Sequence, residues 1–555
     1  MRPPNILWIS THDIGPHLGA YAGVHPGAEQ AHTPRLDRLA ADGMRFDLAF
    51  AAAPICAPSR SAIMTGCFPT AIGTMHMRTK AVPPPQVRLF TEHLREAGYY
   101  TTNNWFTDFQ VPTPPSAFDD CSVRAHWRNR PTPDTPFFAA FHLLTTHESQ
   151  LYLDADAFAR RTAHVPDGHR HDPATVAVPP YHPDTEPFRR SWARYHDLVT
   201  EADHEVGVLL DQLAEDGLAQ DTVVVFWSDH GPGVPRAKRW VTDAGLHEPL
   251  IVRWPGRIAP GSVHRDVVHL MDLAPTMLRL AGVDVPAHMH GTPLLEADGA
   301  VVAGPNAYAF GGLDRMGEMQ DRSRTARDAT HRYVRHYHPD RPPMQHCAYP
   351  DGLHTWQELR RLASEEAQQR ATGALPDLLT PLQRRLVAAG KPAEELYDLD
   401  ADPHEQHNLA ADPEHAVTLA RLRGALDGWL ATYGDLGEIA EDDLVGAWRP
   451  GGAQQETAAP QVARTEAGIV ADCATEGAVV VWTADAPVEA PGPGHEAVLP
   501  GEAIGMPAAD GRQWRIACPA SPPPTDRRVW LKACRLGFRD SDEVLTTIEE
   551  GATTG

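Results

Sequence analysis

The sequence predicts an α/β protein with a large, mainly parallel central sheet. Short apolar runs at 5–10, 136–147 and 221–231, each ending in polar residues, have the pattern of buried strands. Between the last two runs, the apolar spacing of 192–218 predicts a long amphipathic helix. Strands that alternate with helices along a chain are typical of sheets whose neighbouring strands run parallel.

A short helix is predicted after the first strand because the residues at both ends of the helix are typical of helix termini. Thr33 is of a type that caps helix N-termini, Pro34 suits the first helical position, and Gly43 suits the end. Leu36 and Leu39 supply the apolar face that such a helix turns toward a core.

The pattern of predicted secondary structure changes after about residue 375. A strand, an Asp/Pro-rich turn and a helix are predicted within 394–434, and the short apolar runs later in the chain are typical of strands. We therefore predict a large first domain over 1–375, a smaller α+β subdomain over 376–449, a linker over 450–465 and a small β-rich accessory domain over 466–555.

Composition excludes several classes of protein. The 555 residues carry 49 Lys and Arg against 73 Asp and Glu, a net charge of −24, which disfavours nucleic acid and anionic membrane surfaces as partners. No run of about 18 apolar residues predicts a transmembrane helix. The seven cysteines are widely scattered, unlike a disulfide framework, and no secretory leader is visible, so a cytoplasmic enzyme is expected.

Acidic and imidazole groups follow three of the predicted strands. His12 and Asp13 follow the first, His147 the second, and Asp229 with His230 the third. Ligands of open α/β sheets bind at the carboxyl edge of the strands, so these groups predict a site there. Carboxylates favour Ca²⁺ or Mg²⁺ and histidines favour transition metals, whereas ordinary strand-end turns are the alternative interpretation.

The stretch "CAPSRSAIMTG" raises the question of what Cys56 does. A free buried cysteine is more often a small apolar side chain than a nucleophile. Arg60, four residues later, predicts a guanidinium one helical turn away from Cys56. A helix beginning here would also direct backbone N–H groups at a bound anion.

This stretch resembles the signature of the type I, formylglycine-dependent sulfatases, with matches at Cys56, Pro58, Ser59, Arg60, Thr65 and Gly66. Further blocks resemble sulfatase segments in family order: "NILWISTHDIGPHLGAYAG", "TPRLDRLAADGMRF", "WSDHG", "HEPLIVRWPG" and "ELYDLDADPHEQHNLA". "STHDIGPHLGAYAG", "TTNNWFTDF" and "THES" are most similar to the heparan N-sulfatase (sulfoglucosamine sulfohydrolase) branch. The resemblance covers about 4–440 and implies an alkaline-phosphatase-like sandwich with 1–375 as its catalytic domain.

The resemblance implies a sulfuric ester hydrolase acting on a small sulfated substrate, a sugar or aryl sulfate, as an ester or sulfamate. In this family a formylglycine-generating enzyme oxidises the cysteine to Cα-formylglycine, whose hydrate is a geminal diol. One hydroxyl attacks sulfur to form a covalent sulfated intermediate, and the other expels sulfate as the aldehyde reforms. Cys56 would then supply a hydroxyl nucleophile and not a thiolate.

The resemblance also implies roles for individual residues. One divalent metal is expected, with Ca²⁺ favoured over Mg²⁺ or Mn²⁺, and its implied ligands are Asp13, Asp229, His230 and position 56, with His12 beside them. Arg60 is implied to hold the diol, Lys238 and His147 to bind sulfate, and His76 to contact the diol.

Two departures from the family pattern leave alternatives open. Many relatives have two adjacent acids where this chain has His12 and Asp13, which changes the ligand charge. The family usually has a lysine near Phe106, and Arg78 or Lys80 is the expected substitute. The alternatives are a phosphonate or phosphate ester hydrolase of the alkaline phosphatase superfamily, or a catalytically weak glycan-binding relative.

Overall fold

The structure is a computed structural model that describes residues 3–374, 377–465, 468–486 and 512–546. The residues at the predicted boundary, 375–376, and parts of the predicted accessory domain, 466–467, 487–511 and 547–555, lie outside the described residues. The strands are β1 Asn5–Thr11, β2 Met44–Phe50, β3 Tyr100–Asn104, β4 Asp120–Cys121, β5 Phe137–Leu143, β6 Thr222–Ser228, β7 His247–Arg253, β8 Ser262–His264, β9 Val268–His269, β10 Ala309–Leu313, β11 Ser323–Arg327, β12 His331–His336, β13 Glu394–Asp398, β14 Gln461–Thr465, β15 Gly468–Asp472, β16 Val479–Thr483, β17 Arg515–Ile516, β18 Val529–Cys534 and β19 Val544–Thr546.

The described residues also contain thirteen α-helices. They are α1 Pro34–Ala41, α2 Cys56–Thr65, α3 Pro69–Ile72, α4 Phe90–Glu96, α5 Ala155–Arg161, α6 Glu186–Glu215, α7 Asp243–Leu246, α8 Leu273–Leu280, α9 Ala348–Asp351, α10 His354–Ala371, α11 Pro381–Leu386, α12 Ala416–Tyr433 and α13 Glu441–Trp448. The predicted helix at Thr33 is α1 and begins with Pro34 at its first turn. In the described part of the chain, none of these helices has the length and apolar character needed to cross a bilayer.

The central sheet has the order β4-β3-β5-β1-β6-β7-β2-β8, with β9 also paired to β2. The run from β4 to β6 is parallel, whereas β7 is antiparallel to both of its neighbours. This mixed, mainly parallel sheet confirms the predicted fold class.

Both faces of the central sheet are covered by apolar cores. Along β1, Ile6 and Trp8 face one core, and Leu7 and Ile9 face the other. Because successive side chains of a strand point to opposite faces, a strand buried on both faces must be apolar throughout. That requirement explains the continuous apolar run that marked β1 in the sequence.

A second sheet, with the antiparallel order β10-β11-β12-β13, packs against α12. The predicted strand and helix within 394–434 are β13 and α12. Three strands of this sheet precede the predicted boundary at 375/376 and β13 follows it. The boundary divides one sheet because β13 pairs with β12, a contact between distant parts of the chain.

The C-terminal region forms two small antiparallel sheets, β14-β15 and β17-β16-β18-β19. The last five residues of the predicted linker are strand β14, because they pair with β15. This region packs closely against the segment that precedes α4. A Cβ added to Gly477 would lie 2.0 Å from the carbonyl oxygen of Pro85, so only glycine permits this approach.

Candidate active site

Strand register brings the predicted polar groups to one edge of the central sheet. Thr11, the last residue of β1, pairs with Ser228 of β6 on one side and with Leu143 of β5 on the other. The residues that follow β1, β5 and β6 therefore lie side by side at one edge of the sheet. This is the arrangement that the sequence predicted from the polar residues at the ends of these strands. His12, Asp13, Asp229 and His230 are all fully buried.

Cys56 is the first residue of α2, and the motif residues after it fix this helix in place. Ser59 donates a hydrogen bond from Oγ to the carbonyl oxygen of Asp229, at 2.6 Å. Pro58 lies in the first turn, where a missing N–H costs no helical hydrogen bond. Gly66 ends the helix with φ of 67°, a left-handed conformation that favours glycine.

The candidate metal centre comprises His12, Asp13, Cys56, Asp229 and His230. Potential ligand atoms of His12, Asp13 and Cys56 lie within 4.8 Å of one another, as do those of Cys56, Asp229 and His230. Cys56 Sγ lies 3.2 Å from His230 Nε2, which lies 3.3 Å from Asp13 Oδ1. On the other side, His12 Nδ1 lies 3.1 Å from Asp229 Oδ2.

Buried polar atoms of this centre are incompletely satisfied among the described residues. Nε2 of His12 has no hydrogen-bond partner, and Oδ1 of Asp13 and Oδ2 of Asp229 have no well-directed hydrogen bond beyond the imidazole contacts just given. A buried polar atom without a partner costs free energy, so such atoms converging in one place indicate a ligand site. Two carboxylates and two imidazoles fit a divalent cation, and His12 and His230 add nitrogen to an otherwise oxygen-rich set.

A third group of possible ligands, Asp13, His147 and Glu148, already surrounds a cation of the chain itself. Lys238 Nζ lies 2.8 Å from Asp13 Oδ2 and 2.9 Å from Glu148 Oε1. Arg239 donates two hydrogen bonds to the Glu148 carboxylate, at 2.9 and 2.6 Å. These positive charges disfavour a metal ion there, so the candidate metal centre is limited to the first two groups.

Charges in the site shift the pKa values of its groups. Burial raises the pKa of the Cys56 thiol well above its ordinary value, although the nearby Lys238 ammonium acts in the opposite direction. Unmodified Cys56 is therefore a neutral thiol and a poor nucleophile at neutral pH. Burial would lower the pKa of Lys238, but Asp13 and Glu148 outweigh it and hold that pKa well above the usual range.

Arg60 is fully buried against the same centre. Its Nε donates to the carbonyl oxygen of Thr107 at 2.9 Å, and its Nη1 lies 3.7 Å from Asp229 Oδ2. Neither Nη atom has a hydrogen bond within the described ranges, which leaves both as donors for an anion. The carboxylate of Asp229 keeps its charge here, because His230, His12 and Arg60 lower its pKa more than burial raises it.

His147 and His76, the two remaining predicted residues, differ in position. His147 is half-buried beside Asp13 and Glu148, with Nδ1 at 2.9 Å from Ser149 Oγ. His76 lies in a different loop, after α3, where its Nδ1 accepts a hydrogen bond from the Arg315 backbone N–H at 3.3 Å. Among the described residues, no hydrogen bond joins His76 to Cys56, so the role of His76 stays a prediction.

Phe106 occupies the position where the family lysine was expected. Its ring lies 4.8 Å from the His12 ring, and its centroid lies 5.1 Å from Arg60 Cζ. Of the two expected substitutes, Arg78 is close to this region, with Nε 3.6 Å from Asp108 Oδ1. Lys80, like Arg78, is exposed on the surface.

Sequence reasoning did not select Glu148, Arg239 or Asp108 as site residues. Glu148 directly follows His147, and Arg239 directly follows Lys238. Their positions next to predicted site residues are the feature of the sequence that could have identified them. The structure also explains Gly233, since a Cβ there would lie 2.3 Å from Cβ of Glu148. This glycine lets the loop after β6 close against Glu148.

Comparisons with known proteins agree with this geometry. The family model described as sulfatase matches residues 4–132 and 122–283. An ulvan-active sulfatase of Formosa agariphila is 32% identical, and the match covers 98% of this chain and 91% of that protein. Human N-sulphoglucosamine sulphohydrolase is 27% identical over 77% of this chain and 90% of its own length.

Solved structures share the fold at lower identity. A protein (BT4656) in complex with its substrate D-glucosamine-2-N,6-O-disulfate has a TM-score of 0.55 at 19% identity, covering 79% of this chain and 100% of that chain. A phosphonate monoester hydrolase of Agrobacterium radiobacter has a TM-score of 0.56 at 18% identity, covering 84% of this chain and 99% of that chain. With the family model and the long match to a sulfatase, the conclusion is that this chain belongs to the sulfatase family and is a sulfuric ester hydrolase.

Proposed function

We propose that this enzyme removes sulfate from a sulfated sugar and that Cys56 is its nucleophile after oxidation to Cα-formylglycine. The observation that carries the proposal is the position of Cys56 at the start of α2. There its sulfur lies 3.2 Å from His230 and within 4.8 Å of potential ligand atoms of His12 and Asp13. A formylglycine-generating enzyme would be required, and the hydrated aldehyde would supply an attacking hydroxyl that the neutral thiol lacks.

The sugar part of the proposal is supported by the names of the relatives. They include an ulvan-active sulfatase, an N-acetylgalactosamine-6-sulfatase and an N-sulphoglucosamine sulphohydrolase. These proteins share the sulfate group and a sugar, and they differ in whether sulfate is bonded to oxygen or nitrogen. We therefore propose a sulfated sugar as the substrate class.

A single divalent cation, Ca²⁺ in our proposal, would be held by Asp13, Asp229, His230 and position 56, with His12 beside them. The cation would lower the pKa of the nucleophile and offset negative charge on the group being transferred. The buried Nε2 of His12, which has no partner among the described residues, and the convergence of the Asp13 and Asp229 carboxylates with His230 support this assignment. Mg²⁺ and Mn²⁺ are the alternatives, since the two imidazoles widen the range of acceptable metals.

The chain's own cations would bind the sulfuryl oxygens. Lys238 stays an ammonium because Asp13 and Glu148 stabilise its charge. Arg60 offers two Nη donors without partners in the described residues, and His147 is half-exposed at the same edge. Donors fixed in a buried site stabilise developing charge without reorganisation, which is the contribution that sulfuryl transfer needs.

A phosphonate or phosphate ester hydrolase is the second candidate, and Phe106 is the observation that favours it. An aromatic ring in place of the family lysine removes one cation from the sulfate pocket.

The cellular location of the enzyme is not tested by these observations, and a cytoplasmic location stays a prediction.

The proposal is tested by assaying one preparation against matched substrates. Ulvan oligosaccharides, N-acetylgalactosamine-6-sulfate, N-sulfoglucosamine and an aryl sulfate are compared with an aryl phosphonate, and Cys56→Ala serves as the inactive control. We expect sulfate release from at least one sulfated sugar and none by Cys56→Ala. Faster release from the phosphonate than from every sulfate would overturn the proposal in favour of the second candidate.

A further inference from the structure

An exposed aromatic ring lies beside the charged residues of the active site. In the described part of the chain, Tyr349 is the aromatic member of the strongly exposed large apolar side chains, at 49% exposed. The others are the aliphatic residues Val24, Val123, Val208, Val301, Val417, Ile439, Val470 and Leu545. Scattered exposed aliphatic side chains are ordinary, whereas an exposed aromatic ring beside the charged groups of a candidate active site is a candidate for ligand contact.

Tyr349 is connected to the sulfate-binding groups through a short series of contacts. Arg239 Cζ lies 5.8 Å from the centroid of the Tyr349 ring. The same guanidinium binds both oxygens of Glu148, and Oε1 of Glu148 lies 2.9 Å from Nζ of Lys238. The ring therefore lies two ionic contacts away from the cation proposed to bind sulfate.

The backbone on both sides of this contact is fixed. Arg239 has φ of 75°, a left-handed conformation that costs free energy for a residue other than glycine. Its backbone N–H donates to the carbonyl oxygen of Pro54 at 2.8 Å, which helps to hold this conformation. On the other side, Asp351 accepts hydrogen bonds from the Cys347 backbone and from Arg360, so the turn that carries Tyr349 is anchored.

The charges of the site also act on the phenol of Tyr349. Partial burial and the negative charge of Glu148 raise the pKa of its hydroxyl, with Lys238 acting in the opposite direction. The hydroxyl is therefore protonated throughout the neutral range, and the ring carries no charge that would repel an anionic sugar. It offers an apolar face and a polar tip.

We propose that Tyr349 forms a subsite for the pyranose ring of the substrate, next to the sulfate pocket. The proposal rests on the proposed function above, since it presumes that the leaving group is a sugar. One face of the Tyr349 ring packs toward Arg239, and the exposed surface is available for the C–H face of the sugar. Arg239 then acts as a positioning residue, because it contacts both the ring and the Glu148 carboxylate that pairs with Lys238.

The subsite is tested by calorimetric titration of N-acetylgalactosamine-6-sulfate and ulvan oligosaccharides into the Cys56→Ala protein, which cannot turn them over. Tyr349→Ala and Tyr349→Phe are added to this background. Aromatic stacking is worth about tenfold in affinity, so Tyr349→Ala should raise Kd about tenfold and Tyr349→Phe should change it little. Inorganic sulfate, which has no ring, should inhibit the active enzyme with the same inhibition constant with and without Tyr349→Ala.

Tyr308→Ala is the matched control, because Arg421 Cζ lies 5.9 Å from the Tyr308 ring. It should leave the affinity for these sugars unchanged. Unchanged sugar affinity in Tyr349→Ala, or an equal loss of sulfate affinity, would overturn the subsite. Failure of the proposed function is a different result: sugars bind in a Tyr349-dependent way, but the unsubstituted enzyme releases no sulfate from them. Absence of sugar binding altogether would overturn both.

Discussion

Nζ of Lys238 lies 2.8 Å from Oδ2 of Asp13, and both side chains are buried. The ammonium thus contacts one oxygen of a carboxylate whose other oxygen lies 3.3 Å from His230 Nε2, at the proposed metal centre. This arrangement joins the proposed sulfate-binding cation to the proposed metal ligands through one side chain. A change at Asp13 should therefore lower metal content and rate together, whereas a change at Lys238 should act mainly on rate.

Lys238→Ala should lower kcat/KM for the preferred sulfate substrate by roughly 10² to 10³, the usual cost of removing one preorganised donor. Lys391→Ala is a suitable control, because Lys391 is also a buried lysine and pairs with Asp321 at 2.9 Å. It should leave kcat/KM within the error of the assay. Near-normal activity of Lys238→Ala would mean that other groups hold the sulfate.

Asp13→Asn and Asp229→Asn should each lower metal content and rate together, because each removes a full negative charge from the cation's ligands. Metal content is measured by plasma emission on the purified proteins. Asp203→Asn serves as the control, since Asp203 is a buried carboxylate that accepts hydrogen bonds from backbone N–H groups of α1. Unchanged metal content in both site variants would show that the ligand assignment is wrong.

Phe106→Lys should raise kcat/KM for a small aryl sulfate relative to Phe106→Met. Both substitutions remove the ring that lies 5.1 Å from Arg60 Cζ, but only lysine restores a positive charge near the sulfate pocket. Steady-state kinetics on the two variants separates the effect of the added charge on kcat/KM from the effect of losing the ring. A lower value for the lysine variant than for the methionine variant would contradict the idea that this position lacks a sulfate-binding cation.

His182 should make the folded state sensitive to acid. Its Nε2 donates to the Pro235 carbonyl oxygen at 2.7 Å, and its Nδ1 accepts from Trp192 at 3.1 Å, which fixes the neutral tautomer. Burial lowers the pKa of His182 from 6.5 to about 3. Below pH 6.5 the unfolded chain gains a proton here that the folded chain does not, so stability falls by ~1.4 kcal/mol per pH unit until about pH 3.

His182→Gln should therefore make the pH dependence of the unfolding free energy shallower by about that slope between roughly pH 4 and 6, measured by urea unfolding. An identical slope in His182→Gln and the unsubstituted protein would contradict the assignment.

The sequence allowed the central part of the fold to be predicted because β1, β5 and β6 are buried on both faces. Continuous apolar runs are the direct consequence of that burial, and the residues after each run had to meet at one edge. His12, Asp13, Asp229 and His230 were therefore identifiable as a set. The resemblance to sulfatases added the roles of Cys56 and Lys238, which strand patterns do not indicate.

Other features depend on contacts that no local pattern records. The pairing of Glu148 with Lys238 and Arg239 joins the loops after β5 and β6, and its geometry depends on how those loops fold over the sheet edge. In the same way, β13 joins strands that precede it by more than fifty residues, so the boundary predicted at residue 375 falls within one sheet. Pairings of this kind are fixed by tertiary packing and not by propensity.

The central claim is that Cys56 acts as Cα-formylglycine and not as a thiol. It is tested most directly by mass spectrometry of the peptide containing Cys56, from protein produced with a formylglycine-generating enzyme and active in sulfate release. We predict the mass of the aldehyde or its hydrate at position 56 and unmodified thiols at the other six cysteines. Full sulfatase activity in protein whose Cys56 is entirely an unmodified thiol would contradict the account.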